Sequence, residues 1–133
     1  MRYLLDTNVV SNLVIEPQGR AARRLEALGE ANIFTSAIVH AELLFGVRKR
    51  GSAELARKVA NVVRRLYVDP FGPPADQCYA EIRLDLEGRG QIIGPNDLLI
   101  AAHALAVDAV LVTANEREFS RVSGLKVENW LHE

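Results

Sequence analysis

The order of patterns along the chain predicts an α/β fold, a central parallel sheet of four to five strands with helices on both faces. Short aliphatic and β-branched runs alternate with helical periodicity from end to end, and Gly or Pro clusters punctuate the joins. The 133 residues, 49% hydrophobic and 25% charged, suffice to bury one real core. A single domain spanning 1–133 is expected, without internal repeat or low-complexity segment.

Arg2 to Leu5 reads as the first strand, and Asp6-Thr7-Asn8 offers N-caps for a helix over Val9 to Ile15, which Pro17 and Gly19 end. Arg20 to Leu28 is a short helix closed by Gly29, and Asn32 to Thr35 a second strand. Ser36 caps a helix running to Arg50, where Gly51 stops it. Glu54 to Arg65 follows as helix and Leu66-Tyr67-Val68 as a third strand, ended by the run from Asp69 to Pro74. Residues 75 to 87 form a helix terminated by Gly88 and Gly90. A loop through Pro95 leads into an apolar helix from Asn96 to about Val107. Val110 to Thr113 is the fourth strand, and Leu125 to Glu128 a candidate fifth.

Cys78 is the only cysteine, which excludes an intrachain disulfide framework and a cysteine zinc site. No long apolar run precedes Asp6, arguing against a signal peptide, and the stretch from Leu98 to Val112 is too short to span a bilayer. A soluble cytoplasmic protein without a membrane anchor is expected.

A net charge of −1 conceals an asymmetry. Residues 1 to 65 carry 11 Lys or Arg against 6 Asp or Glu, and residues 66 to 133 carry 5 against 11. Arg48, Lys49, Arg50, Arg57, Lys58, Arg64 and Arg65 cluster with Glu54 as the one acid among them. Such a run is either a solvated helical face or a surface that tracks phosphates beside an acidic centre.

Ligands of doubly wound sheets bind outside the carboxyl ends of the strands. Asp6 ends the first strand, and Thr113 ends the fourth, just before Asn115, Glu116 and Glu118. Asp6 alone reads equally well as a helix cap, and Asp97 as a carboxylate in a favourable first turn. Leu98 to Val107 is apolar on every side except at His103, however, so the start of that helix is expected to be enclosed. Glu42 has only Ile38 and Phe45 on its stripe until Lys49, and a glutamate there needs a partner from elsewhere in the chain. Three carboxylates that meet repel one another, and a divalent cation resolves the conflict. The donors are oxygens, with no Cys or His placed among them, which suits Mg²⁺ or Mn²⁺ rather than zinc. His103 is expected to be a packed or surface histidine, and His40 and His132 carry no pattern. Glu118 or Asn115 is a further candidate for the site, with Glu116 open to a surface role.

The segments Leu4 to Asn8, Ala41-Glu42-Leu43, Ile93 to Ala104 and Thr113 to Phe119 resemble PIN-domain ribonucleases, in particular the VapC-type toxins of bacterial toxin–antitoxin modules. The resemblance covers essentially the whole chain and implies a PIN-like α/β/α sandwich. It also implies Mg²⁺ held by Asp6, Glu42 and Asp97, with either Glu118 or Glu116 substituting at the fourth position or a second metal binding weakly, and endoribonuclease activity leaving 5′-phosphate and 3′-hydroxyl ends; Glu118 is the fourth catalytic residue expected. Many members place an aspartate near position 115, where this chain has Asn115. The partners implied are RNA, a small cognate antitoxin that covers the acidic site, and a second copy in a homodimer, with DNA reached only through the antitoxin.

In the corresponding mechanism a hydroxide attacks phosphorus while Glu42 orients the water or helps hold a second ion. The basic 48–65 region would grip the RNA backbone, adding affinity rather than sequence choice. A haloacid-dehalogenase-type phosphohydrolase would want an acid two residues after Asp6, where Asn8 stands. The alternative is a non-catalytic RNA-binding or regulatory PIN-like module, which Asn115 favours and the three intact carboxylates oppose. No aromatic stacking ladder marks an RNA target.

Overall fold

The computed structural model describes residues 1–132. Its elements run β1 (Tyr3–Leu5), α1 (Thr7–Ile15), α2 (Arg20–Leu28), a 3₁₀ turn (Glu30–Asn32), β2 (Ile33–Ser36), α3 (Ala37–Arg50) and α4 (Ala53–Arg64). They continue with β3 (Tyr67–Asp69), α5 (Ala75–Gly88), α6 (Pro95–Ala106), β4 (Val110–Val112), α7 (Glu116–Phe119) and β5 (Val127–Glu128). The expected order holds, with ends moved by one or two residues. Asn32 belongs to the 3₁₀ turn, Leu66 precedes β3, and the fifth strand shrinks to two residues. The four-residue α7 was not expected, because one turn carries no helical periodicity to read.

Five strands form one parallel sheet in the order β3-β2-β1-β4-β5. The chain steps outward from β1 to β3, then crosses to the other side of β1 for β4 and β5. The direction of winding therefore reverses between β1 and β4, and the crevice beyond their carboxyl ends is the natural ligand position of such a sheet. Leu5 lies opposite Val112, so the residues that follow, Asp6 and Thr113, emerge side by side.

The helices pack as two layers, α1 against α2, α3 and α4, and α5 against α6. Local chemistry sets their ends. Ser36 Oγ accepts from the Ile38 N–H at 3.1 Å to start α3, and Gly51 at φ 70° accepts the left-handed conformation that stops it. Pro95 opens α6, where its missing N–H costs nothing. As expected from its sequence, α6 buries Leu98, Ile100, Ala101, Ala102, His103 and Ala104.

His103 is packed. Its Nδ1 lies 2.8 Å from Ser36 Oγ and its Nε2 2.8 Å from Asp69 Oδ2, with the Phe34 and Phe71 rings edge-on to the imidazole. One ring thus ties the ends of β2 and β3 to α6. No described helix is long and apolar enough to cross a membrane.

Candidate active site

Asp6 is the floor of the crevice. Only 4% of its surface remains exposed, and three donors hold its carboxylate. The Thr7 N–H donates to Oδ1 at 2.8 Å, while the Thr113 hydroxyl and the Asn8 amide donate to Oδ2 at 2.7 and 3.2 Å. Asn8 in turn accepts from the Ala114 N–H at 3.0 Å, so the chain leaving β4 is fastened to the start of α1. Burial pushes the Asp6 pKa up, against the lowering pull of these hydrogen bonds, and the negative charge of Glu42 raises it further.

Glu42 receives its partners from far along the chain. Thr7 Oγ1 donates to one carboxylate oxygen at 2.6 Å, and Asn96 Nδ2 to the other at 3.2 Å. These contacts join α1, α3 and α6 across the mouth of the crevice. The expected apolar burial of this stripe is not observed: Glu42 is half-buried and Phe45 is exposed. That face of α3 looks outward, so Glu42 is fixed by donors rather than by a closed apolar wall.

Asp97 shows a similar correction. The body of α6 is buried, yet Pro95 and Asn96 are exposed and Asp97 is half-buried, so the first turn of the helix is open where its body is enclosed. Asp97 is the most perturbed acid of the site, pushed up to about 7 by desolvation first. A hydrogen bond with Glu118 and the negative charges of Asp6, Glu118 and Glu42 raise it further.

Glu118 shifts the opposite way. The Gly94 N–H donates to its Oε1 at 2.7 Å and Asn115 Nδ2 to its Oε2 at 2.9 Å. Chiefly the Gly94 bond, with help from Asn115, Asp97 and Arg121, holds its pKa below the usual range. The two neighbouring carboxyls are thus driven apart, with Asp97 the one that takes up a proton more readily.

The structure brings Asp6, Glu42, Asp97 and Glu118 into one crevice and leaves Glu116 outside it. Glu116 is exposed and accepts from Asn129 Nδ2 at 3.1 Å. Asn115 enters as the amide that orients Glu118. Thr113, Asn8, Asn96 and the Gly94 N–H were not singled out as holders of the acids. Only Thr113 has a visible signal in the sequence, since it stands at the carboxyl end of a strand, where ligands of such sheets bind.

Among the described residues, no three His, Cys, Asp or Glu side chains already close round one point as a metal cage. The chemistry of the donor set nevertheless fits a hard divalent cation. It is all oxygen, every carboxylate except Asp97 is oriented by donors from the protein, and desolvation first, with the neighbouring negative charges, lets Asp97 hold its proton up to a pKa of about 7. A doubly charged cation would displace that proton and relieve the repulsion.

A family model described as "PIN domain" matches residues 3–125. Ribonuclease VapC2 of Rickettsia felis is 41% identical over 132 residues, covering 98% of both chains. The tRNA(fMet)-specific endonuclease VapC of Shigella flexneri is 32% identical over 133 residues, again with 98% coverage of each. Among solved structures, that of VapBC2 from Rickettsia felis bound to a DNA fragment from its promoter superposes with a TM-score of 0.89 at 40% identity. The match covers 98% of this chain and 99% of the other.

Proposed function

This chain belongs to the PIN-domain family, and from that premise we propose that its acidic crevice hydrolyses RNA phosphodiesters with Asp6, Glu42, Asp97 and Glu118 as the working side chains. The chain is a ribonuclease of the VapC type, the toxin of a toxin–antitoxin pair, and works with a divalent cation. The observation that carries the assignment of residues is the convergence of four acids, one from the junction of β1 and α1 and the others from α3, α6 and α7, at the point where the sheet reverses its winding.

Mg²⁺ is the cation proposed, with Mn²⁺ as its substitute, held by Asp6, Asp97 and Glu42. Such a cation supplies Lewis-acid polarisation of the phosphate and nucleophilic water at neutral pH. The protein's own side chains supply orientation. Thr113, Asn8 and the Thr7 N–H lock the Asp6 carboxylate, so it offers its remaining lone pairs without rearrangement. Glu42, tethered by Thr7 and Asn96, orients the attacking water. Water oxygen bonds to phosphorus and releases a proton to solvent, the bond from phosphorus to O3′ breaks, and O3′ takes a proton from solvent to leave as a hydroxyl, giving 5′-phosphate and 3′-hydroxyl ends.

Arg48, Arg50 and Arg57 stand exposed on α3 and α4 and are proposed to hold the RNA backbone near the crevice. A small antitoxin is the proposed silencing partner, its segment lying over the acids. A recess of about 320 Å³ between α1 and α3, bordered by Thr7, Ile15, Glu42, Val47 and Arg50, gives that segment an apolar footing. The proposed setting is a cytoplasmic homodimer that meets DNA only through its antitoxin.

The test is cleavage of total cellular RNA by antitoxin-free protein, with Mg²⁺ or EDTA, beside Asp97→Asn. Fragments that require Mg²⁺ and vanish in the variant are expected. Equal cleavage by both proteins would overturn the reading.

A further inference from the structure

His103 is 1% exposed, the one buried histidine among the described residues, and the proposed hydrolysis leaves it without a role. An imidazole in a core costs desolvation that an apolar side chain would not, unless its nitrogens are satisfied. Here both are, at 2.8 Å from Ser36 Oγ and 2.8 Å from Asp69 Oδ2. The Phe34 and Phe71 rings, edge-on to the imidazole, pack around it.

Ser36 is the N-cap of α3 and is itself fully buried. Six residues further along stands Glu42, which accepts from Asn96 at the start of α6, seven residues before His103. The start of α3 is thus tied to the interior of α6, and the interior of α3 to the start of α6. Two helices running in opposite directions are pinned at two points, about 9 Å apart along α3 and about 10.5 Å apart along α6 at 1.5 Å per residue.

The two pins differ. Asn96 is exposed, and a bond open to water gains little over the bonds to water it replaces. The pin at His103 is buried, where a satisfied polar group favours one arrangement of the elements around it. Apolar packing between the helices is non-directional, whereas a hydrogen bond restricts distance and angle together. Since α3 carries Glu42 and α6 carries Asp97, the separation of these acids depends on how the helices cross.

We propose that His103 is a positioning residue of the ribonuclease reaction: through its bond to Ser36 it fixes where α3 crosses α6 and so holds Glu42 beside Asp97 for a divalent cation. The proposal rests on the assignment of these acids to RNA hydrolysis. The two arms of the ring have separate duties. The Ser36 arm reaches the helix that bears Glu42, and the Asp69 arm reaches β3, an edge strand that bears none of the four acids.

The arms can be removed singly. The side-chain amide of asparagine falls where Nδ1 stands and that of glutamine where Nε2 stands, so His103→Asn keeps the Ser36 arm and His103→Gln keeps the Asp69 arm. Full-length protein freed of antitoxin and metal is titrated with Mn²⁺ by calorimetry, and the side-chain amide of Asn96 is followed by NMR before metal is added. His103→Gln is expected to weaken Mn²⁺ binding about 3- to 10-fold, at or under the low end of what the partners of metal ligands contribute, and to shift the Asn96 amide signal. His103→Asn should bind Mn²⁺ nearly as the wild type does. Ser36→Ala, which cuts the same arm and leaves the ring in place, should match His103→Gln. In the metal-loaded enzyme His103→Gln should lower kcat and leave KM for RNA unchanged.

Both substitutions at His103 should cost stability in urea, so stability does not separate them. Unchanged Mn²⁺ affinity in His103→Gln and Ser36→Ala would overturn the proposal, as would a wild type that binds no Mn²⁺. Equal losses in His103→Asn and His103→Gln would also overturn it, since they would make the histidine a packing residue whose removal loosens the whole core. If His103→Gln does not fold, Ser36→Ala beside the wild type decides. If the wild type leaves all RNA intact with Mg²⁺ while Mn²⁺ binding still divides the variants as expected, hydrolysis is the reading that fails and the placement of Glu42 by His103 stands.

Discussion

The Thr113 hydroxyl donates to Asp6 Oδ2 at 2.7 Å across a sequence separation of 107 residues. Pairing of Leu5 with Val112 in the parallel register puts these two residues next to each other where β1 and β4 end. The threonine opposes the effect of burial on Asp6, since its hydrogen bond favours the ionised form. Thr113→Val keeps the shape and removes the donor, so the Asp6 pKa should rise further. Activity at neutral pH should fall about 10- to 100-fold, in line with roughly 1.5–3 kcal/mol for a hydrogen bond to a charged group, and partly recover as pH is raised. A pH–rate profile checks this; an unshifted acidic limb would remove Thr113 from the mechanism.

Asp97 gives the metal-free protein a definite pH signature. Its folded pKa of about 7 lies above the ordinary 3.8, so its contribution to stability is complete below pH 3.8 and is lost as pH climbs through 7. Glu118, depressed below 4.5, contributes in the opposite sense and loses its contribution only on acidification beneath that value. Between these limits Asp97 dominates the site. Thermal melts in EDTA should show Tm falling from pH 5 to pH 8. Asp97→Asn should flatten that slope and be the more stable protein at pH 8, while lacking activity. Added Mg²⁺ should raise Tm more at pH 8 than at pH 5.

The basic face predicts a salt effect. Arg48→Gln and Arg57→Gln should each raise KM with little change in kcat, because a phosphate contact binds ground state and transition state alike. Each should also lower the slope of log affinity against log salt by about 0.7, the value for one contact to a single strand. Titrations over a range of KCl concentrations measure it, and an unchanged slope would mark the arginines as solvated bystanders.

His103 links α6 to the ends of β2 and β3 through Ser36 and Asp69. Leucine in its place would leave both partners without the ring nitrogens they contact. A loss of about 1–3 kcal/mol is expected from a buried polar group left unsatisfied, measured by urea unfolding. Ser36→Ala should lose less, since it removes the helix cap but leaves His103 its carboxylate.

Elements bounded by strong local chemistry were legible in the sequence. Ser36 and Gly51 frame α3 and were read as such, and Gly29 likewise closes α2. The strand order was not legible, because pairings such as β1 with β4 join residues more than 100 positions apart. Asp6 and Asp97 were readable from their places at a strand end and a helix start. The surroundings of Glu42 were not: its stripe is apolar in sequence but faces outward, and its donors Thr7 and Asn96 lie 35 and 54 residues away. Periodicity reports the amphipathic face of a helix, and it does not say which side the rest of the molecule will cover.

The four acids are spread from position 6 to position 118, and the last of them is oriented by Asn115 and Gly94. During synthesis, a chain stalled before β4 possesses Asp6, Glu42 and Asp97 but neither Thr113 to steady the first nor Glu118 to stand beside the third. On the proposed assignment of the four acids, catalytic competence waits until the segment from Thr113 to Glu118 has been made. The stretch that joins the last two strands of the sheet is thus also the one that completes the proposed site.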